Sequence, residues 1–258
     1  MIMQGAWDYF AEDQTYSSVL RQRLADGVEM DSAKALAHYL NELCEADINI
    51  LDFGGGPGHY YPVLKHRYKN GHVTYTSVDT DVDNIEHGRA KFSIDNGDYA
   101  FFKVGSVLDP TASYGEHNCI VSCNTLPHIP TIEPLLSFLK DDKYERQRIR
   151  YFVFRMLIGS ECVEIKKHLN ASSFADIFRH SYQHNNIYSA EYLADRLGKH
   201  WLIDVRPDVW DADRMSSHLL KHALSDFHSN RVSRAEGDKV FKGDIFMPWR
   251  FVLGRRLL

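Results

Sequence analysis

Ile48-Asn49-Ile50-Leu51-Asp52-Phe53-Gly54-Gly55-Gly56-Pro57-Gly58-His59-Tyr60 runs from a short apolar segment through a glycine turn into a helix-like stretch. A strand ending in glycine lets backbone approach a ligand closely at the carboxyl edge of a sheet. A nucleotide-like ligand is the inference, although a glycine turn alone also serves as a plain tight connection. Two carboxylates sharpen it. Asp79 closes the next apolar run, Val73-Thr74-Tyr75-Thr76-Ser77-Val78-Asp79, 21 residues after Gly58, where an acid can accept hydrogen bonds from both ribose hydroxyls. Asp52 stands just before the turn, where a carboxylate repels a pyrophosphate but favours a ligand carrying ammonium and sulfonium charge.

Outward from this stretch the chain alternates short β-branched or aromatic runs with longer helix-like ones. The spacing predicts seven strands, at residues 48–53, 73–79, 100–106, 118–124, 149–156, 201–205 and 249–254. The first five are nearly continuous apolar runs, the mark of parallel strands covered on both faces. The expected fold is α/β: a doubly wound, seven-stranded, mostly parallel sheet with helices on both faces and an antiparallel last strand. Residues 16–24 and 31–43 read as helices, with Asp31 an N-cap candidate. The expected organisation is one domain over 1–258, with an N-terminal helical cap at 1–45, a core at 46–258, and insertions near 159–198 and 211–243. In the second insertion Met215, Leu219, Ala223, Leu224 and Phe227 form an amphipathic stripe that predicts a helix packed on the core.

Leu51-Asp52-Phe53-Gly54-Gly55-Gly56-Pro57-Gly58 resembles the first motif of class I, Rossmann-like S-adenosylmethionine-dependent methyltransferases, and the seven strands have that family's spacing. The resemblance covers roughly residues 48–156, with a weaker echo in the last strand. It implies S-adenosylmethionine as cofactor, held by Asp52, Gly54, Gly55, Gly56 and Gly58, with Asp79 on the ribose. After the third strand the family carries an acid for the adenine amino group; here Ser106 and Val107 occupy the loop, a departure from the pattern. Asn118-Cys119-Ile120-Val121-Ser122-Cys123-Asn124-Thr125-Leu126-Pro127-His128-Ile129 looks like the fourth motif, which lines the methyl-transfer site, and makes Asn124 a contact candidate. A dinucleotide fingerprint fits less well, because His59 takes its third glycine position. A silent cofactor-binding regulator, an NAD-dependent oxidoreductase and aminopropyl transfer remain as alternatives.

Methyl transfer needs alignment of acceptor, methyl and sulfur, and a hydroxyl acceptor also has to lose its proton. His128, between Pro127 and Pro130, is the candidate general base. The aromatics Trp7, Tyr9, Phe10 and Tyr16 can close over a sulfonium with their ring faces. Arg155 reads as a surface ion-pair residue that can also meet an anionic acceptor. Polar and aromatic side chains at Tyr182, Gln183, His184, Asn185, Asn186 and Tyr188 point to a sugar-like acceptor.

A net charge of -5 argues against nucleic acid or an anionic membrane as the main partner. The start lacks a basic region leading into an apolar run and no stretch is long enough to span a membrane, so a cytoplasmic location and a small-molecule partner are expected. The oligomeric state is unspecified. Cys44, Cys119, Cys123 and Cys162 include no CxxC pair and read as small apolar fillers. His180/His184 and His218/His222 have helical spacing but no HExxH pattern, so no metal is expected.

Overall fold

The computed structural model describes residues 14–111, 114–141, 149–168, 182–208, 233–236, 239–242, 245–246 and 248–257. The glycine stretch ends strand β1 (Ile48–Phe53), which pairs in parallel with β2 (Val73–Asp79) on one side and β4 (Cys119–Cys123) on the other. Beyond β2 lies the edge strand β3 (Ala100–Val104); beyond β4 lies β5 (Tyr151–Gly159), again parallel. The last strand β13 (Trp249–Arg256) inserts between β5 and β9 (Trp201–Pro207) and is antiparallel to both. The order is therefore β3-β2-β1-β4-β5-β13-β9. All seven expected strands are present, with ends shifted by a few residues. An eighth, the two-residue β8 (Tyr188–Ser189), pairs with the end of β5.

Burial explains the apolar runs. Ile50, Cys119, Val121 and Val153 face one apolar cluster, under helices α2 (Asp31–Leu43) and α3 (Tyr61–Arg67). Leu51, Phe53, Ile120, Phe152 and Phe154 face the other, under α5 (Glu133–Lys140) and α6 (Ala190–Leu197). Adjacent residues of one strand thus enter opposite cores, which leaves little room for polar alternation. In α2, Ala33, Leu36, Ala37 and Leu40 form the buried stripe. Asp31 lies inside its first turn, paired with Lys34 at 3.1 Å, and the N-cap is Met30, so the cap expectation was one residue off.

α1 (Gln14–Ala25) precedes α2, and α4 (Val82–Lys91) joins β2 to β3. The first insertion contains β6 (Lys166–His168) paired with β7 (Tyr182–His184), then β8 and α6. Near the end of the second, β10 (Ser233–Glu236), β11 (Lys239–Lys242) and β12 (Ile245–Phe246) form a small antiparallel sheet. The stripe from Met215 to Phe227 lies outside the described residues, as do His180, His218 and His222. Cys44, Cys119 and Cys123 are buried free thiols, but Cys162 is exposed and is no core filler.

Candidate active site at the carboxyl edge of the sheet

β1, β2 and β4 end side by side, and the loops leaving them converge. Gly54, Gly56 and Gly58 all have positive φ (77°, 54° and 77°), the left-handed region where a β-carbon is penalised. Two of these glycines serve different needs. A β-carbon on Gly54 would lie 1.9 Å from Thr125 Oγ1, so the loop leaving β4 packs directly on this glycine. A β-carbon on Gly56 would meet nothing nearer than Leu20 Cδ1 at 3.4 Å. Among the described residues a β-carbon at Gly56 would therefore make only ordinary contacts, with Leu20, His59 and Asn84, and none of the overlap seen at Gly54.

Two carboxylates flank the turn. Asp79 Oδ2 accepts the Gly56 N–H at 2.8 Å and Oδ1 accepts the Asp81 N–H at 2.9 Å. These bonds fix the carboxylate at the turn, with one oxygen toward Gly56 and the other toward Asp81. Asp52 is 2% exposed; its Oδ2 accepts from Tyr75 Oη at 2.5 Å, while Oδ1 is buried with no hydrogen-bond partner among the described residues. Burial raises its carboxyl to about 7, opposed by the Tyr75 hydrogen bond and reinforced by the charge of Asp79. A buried orphan oxygen is costly unless a donor or cation arrives. An ammonium group beside Asp52, hydroxyls at Asp79 and close approach over Gly56 are the complement of S-adenosylmethionine, so the residues fit that cofactor.

Helix α1 docks beside this region through side chains invisible to motif reading. Asp81 caps α4, accepting from the backbone of Asp83 and Asn84 at 2.9 and 3.2 Å, and it also accepts a short hydrogen bond from Ser17 of α1. Asn84 Nδ2 donates to Ser17 Oγ at 3.3 Å. These bonds seat α1 with Leu20 against Gly56. Trp7, Tyr9 and Phe10 lie outside the described residues, as does the side chain of Tyr16, although its backbone belongs to α1.

At the exit of β4, Asn124 has φ 69°, the one positive value outside glycine among the described residues, and its N–H donates to Arg155 O at 3.0 Å. Arg155 is not the surface residue expected from the sequence. It is 4% exposed, forms a bidentate pair with Asp208 (Nε to Oδ1 3.0 Å, Nη2 to Oδ2 2.5 Å), donates Nη1 to Asn124 Oδ1, and lies 4.4 Å over the Trp249 ring. Burial opposes its charge, but Asp208 more than offsets this and holds the guanidinium above its ordinary pKa. Asp208 escaped the sequence reading because 53 residues separate it from Arg155.

His128 sits in a 3-10 turn (Leu126–His128) beside Trp249, with ring centroids 6.3 Å apart. Its Nδ1 lies 2.9 Å from His184 O. A carbonyl only accepts, so Nδ1 carries the proton and the basic lone pair of the neutral ring is on Nε2. The first insertion clamps this turn: Asn186 N–H donates to Pro127 O at 2.8 Å and Asn186 Nδ2 to Ile129 O at 3.0 Å. His184, Asn185 and Asn186 are buried, and Asn185 Oδ1 has no hydrogen-bond partner among the described residues. The side chains of Tyr182 and Gln183 lie outside the described residues.

Asp52, the glycines, Asp79, Asn124 and Thr125 thus meet at one edge, with His128 one turn beyond. Ser106 and Val107 sit past β3. Ser106 Oγ accepts the Leu108 N–H at 3.1 Å, shaping the turn, and Val107 is buried in the apolar cluster with Leu51 and Phe53. Among the described residues no group of three metal-binding side chains occurs, and no helix is long and apolar enough to cross a membrane.

Comparison with known proteins gives the same reading of the fold. A family profile described as "Methyltransferase domain" matches residues 28–200. No protein of curated function matches the sequence. Among solved structures, Haemonchus contortus phosphoethanolamine N-methyltransferase 2 in complex with S-adenosyl-L-methionine is similar at TM-score 0.59 and 12% identity, over 98% of this chain and 60% of that one. A chain of the Haloferax volcanii complex between the Trm112 methyltransferase activator and its methyltransferase gives 0.55 and 13%, over 96% of both chains. An S-adenosylmethionine-dependent methyltransferase from Clostridium acetobutylicum gives 0.50 and 14%, over 97% of this chain and 99% of that one.

Proposed function

Because the chain belongs to the methyltransferase-domain family and is an S-adenosylmethionine-dependent methyltransferase, we propose that it methylates a hydroxyl of a small, polar, sugar-like acceptor, with His128 as general base. When bound, S-adenosylmethionine supplies an electrophilic methyl whose leaving group is a neutral thioether. On this reading Asp79 holds the ribose hydroxyls and Asp52 the ammonium. Gly56 gives the close approach while Gly54, Gly55 and Gly58 shape the turn, packed on Thr125, Ser77 and Phe102; Ser106 and Val107 border the adenine end, and Asn124 borders the amino-acid end. Tyr9 and Tyr16 belong to the cap over the cofactor. His128 takes the acceptor proton at Nε2 as the new bond forms.

The observation that carries the reading is the hydrogen bond from His128 Nδ1 to His184 O at 2.9 Å. It fixes the ring and the base-competent tautomer through a backbone group of the same insertion that supplies buried Asn185 and Asn186. An amine or thiolate acceptor has no need of such a base. The paired Arg155 adds no unneutralised cation, which favours a neutral acceptor over an anionic one. The test is release of S-adenosylhomocysteine with panels of sugars, other polyols, phenols, amines and thiols. Turnover confined to amines or thiols would refute the hydroxyl assignment.

A further inference from the structure

We infer that Arg155 is a positioning residue: its buried pair with Asp208 turns the Asn124 amide so that the NH2 group faces the amino-acid end of the cofactor and donates to its carboxylate. The inference rests on the proposed placement of that end beside Asp52 and the glycine turn. A guanidinium only donates hydrogen bonds. Because Arg155 Nη1 bonds Asn124 Oδ1, the amide oxygen is committed to Arg155 and the amide nitrogen lies on the opposite side. Arg155 has no freedom to release it. Nε and Nη2 are both held by Asp208, the guanidinium stacks on Trp249, and the two side chains are 5% and 2% exposed.

The backbone at Asn124 is held as firmly. Its left-handed φ of 69° persists while its N–H is bonded to Arg155 O, so one residue of β5 restrains both the main chain and the side chain of Asn124. The position is set by the next residue, Thr125, which packs so closely on Gly54 that no β-carbon fits there. Asn124 therefore lies at the glycine turn, and Asp52, just before that turn, keeps an oxygen with no hydrogen-bond partner among the described residues. An amino-acid zwitterion arriving there meets an acceptor for its ammonium and a neutral donor for its carboxylate. The charge of Arg155 itself is spent on Asp208, which explains why an amide is interposed where a bare guanidinium would bind an anion more strongly.

The test is calorimetry with two ligands, S-adenosylhomocysteine and 5′-methylthioadenosine, which keeps the nucleoside and thioether but lacks the ammonium and carboxylate. Asn124→Asp keeps the shape and the Arg155 contact while replacing the donor with an anion. Its affinity for S-adenosylhomocysteine should fall by about tenfold or more, with 5′-methylthioadenosine within about twofold of wild type. The double variant Arg155→Met/Asp208→Leu removes both charges without stranding one, and it should show the same selective loss. Arg155→Lys, which keeps a donor, should retain more S-adenosylhomocysteine affinity than the double variant. Wild-type binding by Asn124→Asp, or equal weakening of both ligands in these variants, would overturn the inference; if the double variant does not fold, Asn124→Asp decides. Asp79→Ala separates the two levels of argument: weakening of both ligands supports the site, while unchanged binding of both refutes the site and the inference with it.

Discussion

Asp79 Oδ2 accepts the backbone N–H of Gly56 at 2.8 Å, so the carboxylate proposed to bind ribose also holds the glycine turn in shape. The second strand therefore builds part of the first strand's loop. Asp79→Ala should weaken S-adenosylhomocysteine binding by about 1–3 kcal/mol through lost charge-assisted bonds, with a further small loss of thermal stability from the released turn. Asp79→Asn keeps one acceptor for Gly56 but turns an amide NH2 toward the Asp81 N–H, so it should lose affinity and also some stability. Equal binding by all three proteins would remove Asp79 from the cofactor site.

Gly54 and Gly56 should respond differently to alanine. At Gly56 the cost to the fold is about 1–2 kcal/mol of left-handed strain, because the nearest atom among the described residues, Leu20 Cδ1, is at 3.4 Å. At Gly54 the same strain is joined by a 1.9 Å overlap with Thr125 Oγ1, so Gly54→Ala should lower Tm further. Both should bind S-adenosylhomocysteine poorly, Gly56→Ala by filling the ligand's space and Gly54→Ala by displacing the loop. Melting curves paired with calorimetry read both effects, and a Gly56→Ala protein of wild-type affinity would contradict the close approach.

Asp52 predicts a pH dependence of cofactor binding. Its carboxyl titrates at about 7 in the folded protein because burial outweighs the Tyr75 hydrogen bond. Below that pH it is protonated and offers no charge to an ammonium, so affinity should rise with pH, at up to about tenfold per unit, and level off above 7. Stability of the ligand-free protein runs the other way. A folded pKa raised above the unfolded one favours the folded state most below about pH 4, and that advantage is lost as pH rises through 7. Tyr75→Phe removes a bond that lowers the Asp52 pKa, and should move the binding profile to higher pH. A flat profile in wild type would exclude the Asp52 contact.

His128→Ala should lower turnover with a hydroxyl acceptor by about 10²–10⁴-fold while leaving S-adenosylhomocysteine affinity nearly unchanged, because general-base help belongs to the transition state. Kinetics against calorimetry on the same preparation checks this. Parallel loss of both quantities would mean that His128 supports the turn from Leu126 to Ile129 and takes no proton.

What could be read without coordinates came from local pattern. The continuous apolar runs of β1, β2, β4 and β5 announce strands buried on both faces, since most residues along them are buried and their apolar side chains enter the cores on either side. The glycine turn and Asp79 are recognisable because backbone conformation and strand-end position act over a few residues. Arg155 marks the limit of such reading. Nothing adjacent to it in sequence accounts for its burial; its partners are Asn124, Asp208 and Trp249, brought together by the crossing from β4 to β5 and the insertion of β13 beside β5. The docking of Ser17 on Asp81, 64 residues away, is of the same kind. Sequence alone determined the sheet, the glycine turn and the acid that closes the second strand, whose causes are short-range; tertiary structure decided which polar side chains are buried together, because that depends on which distant strand ends the fold makes neighbours.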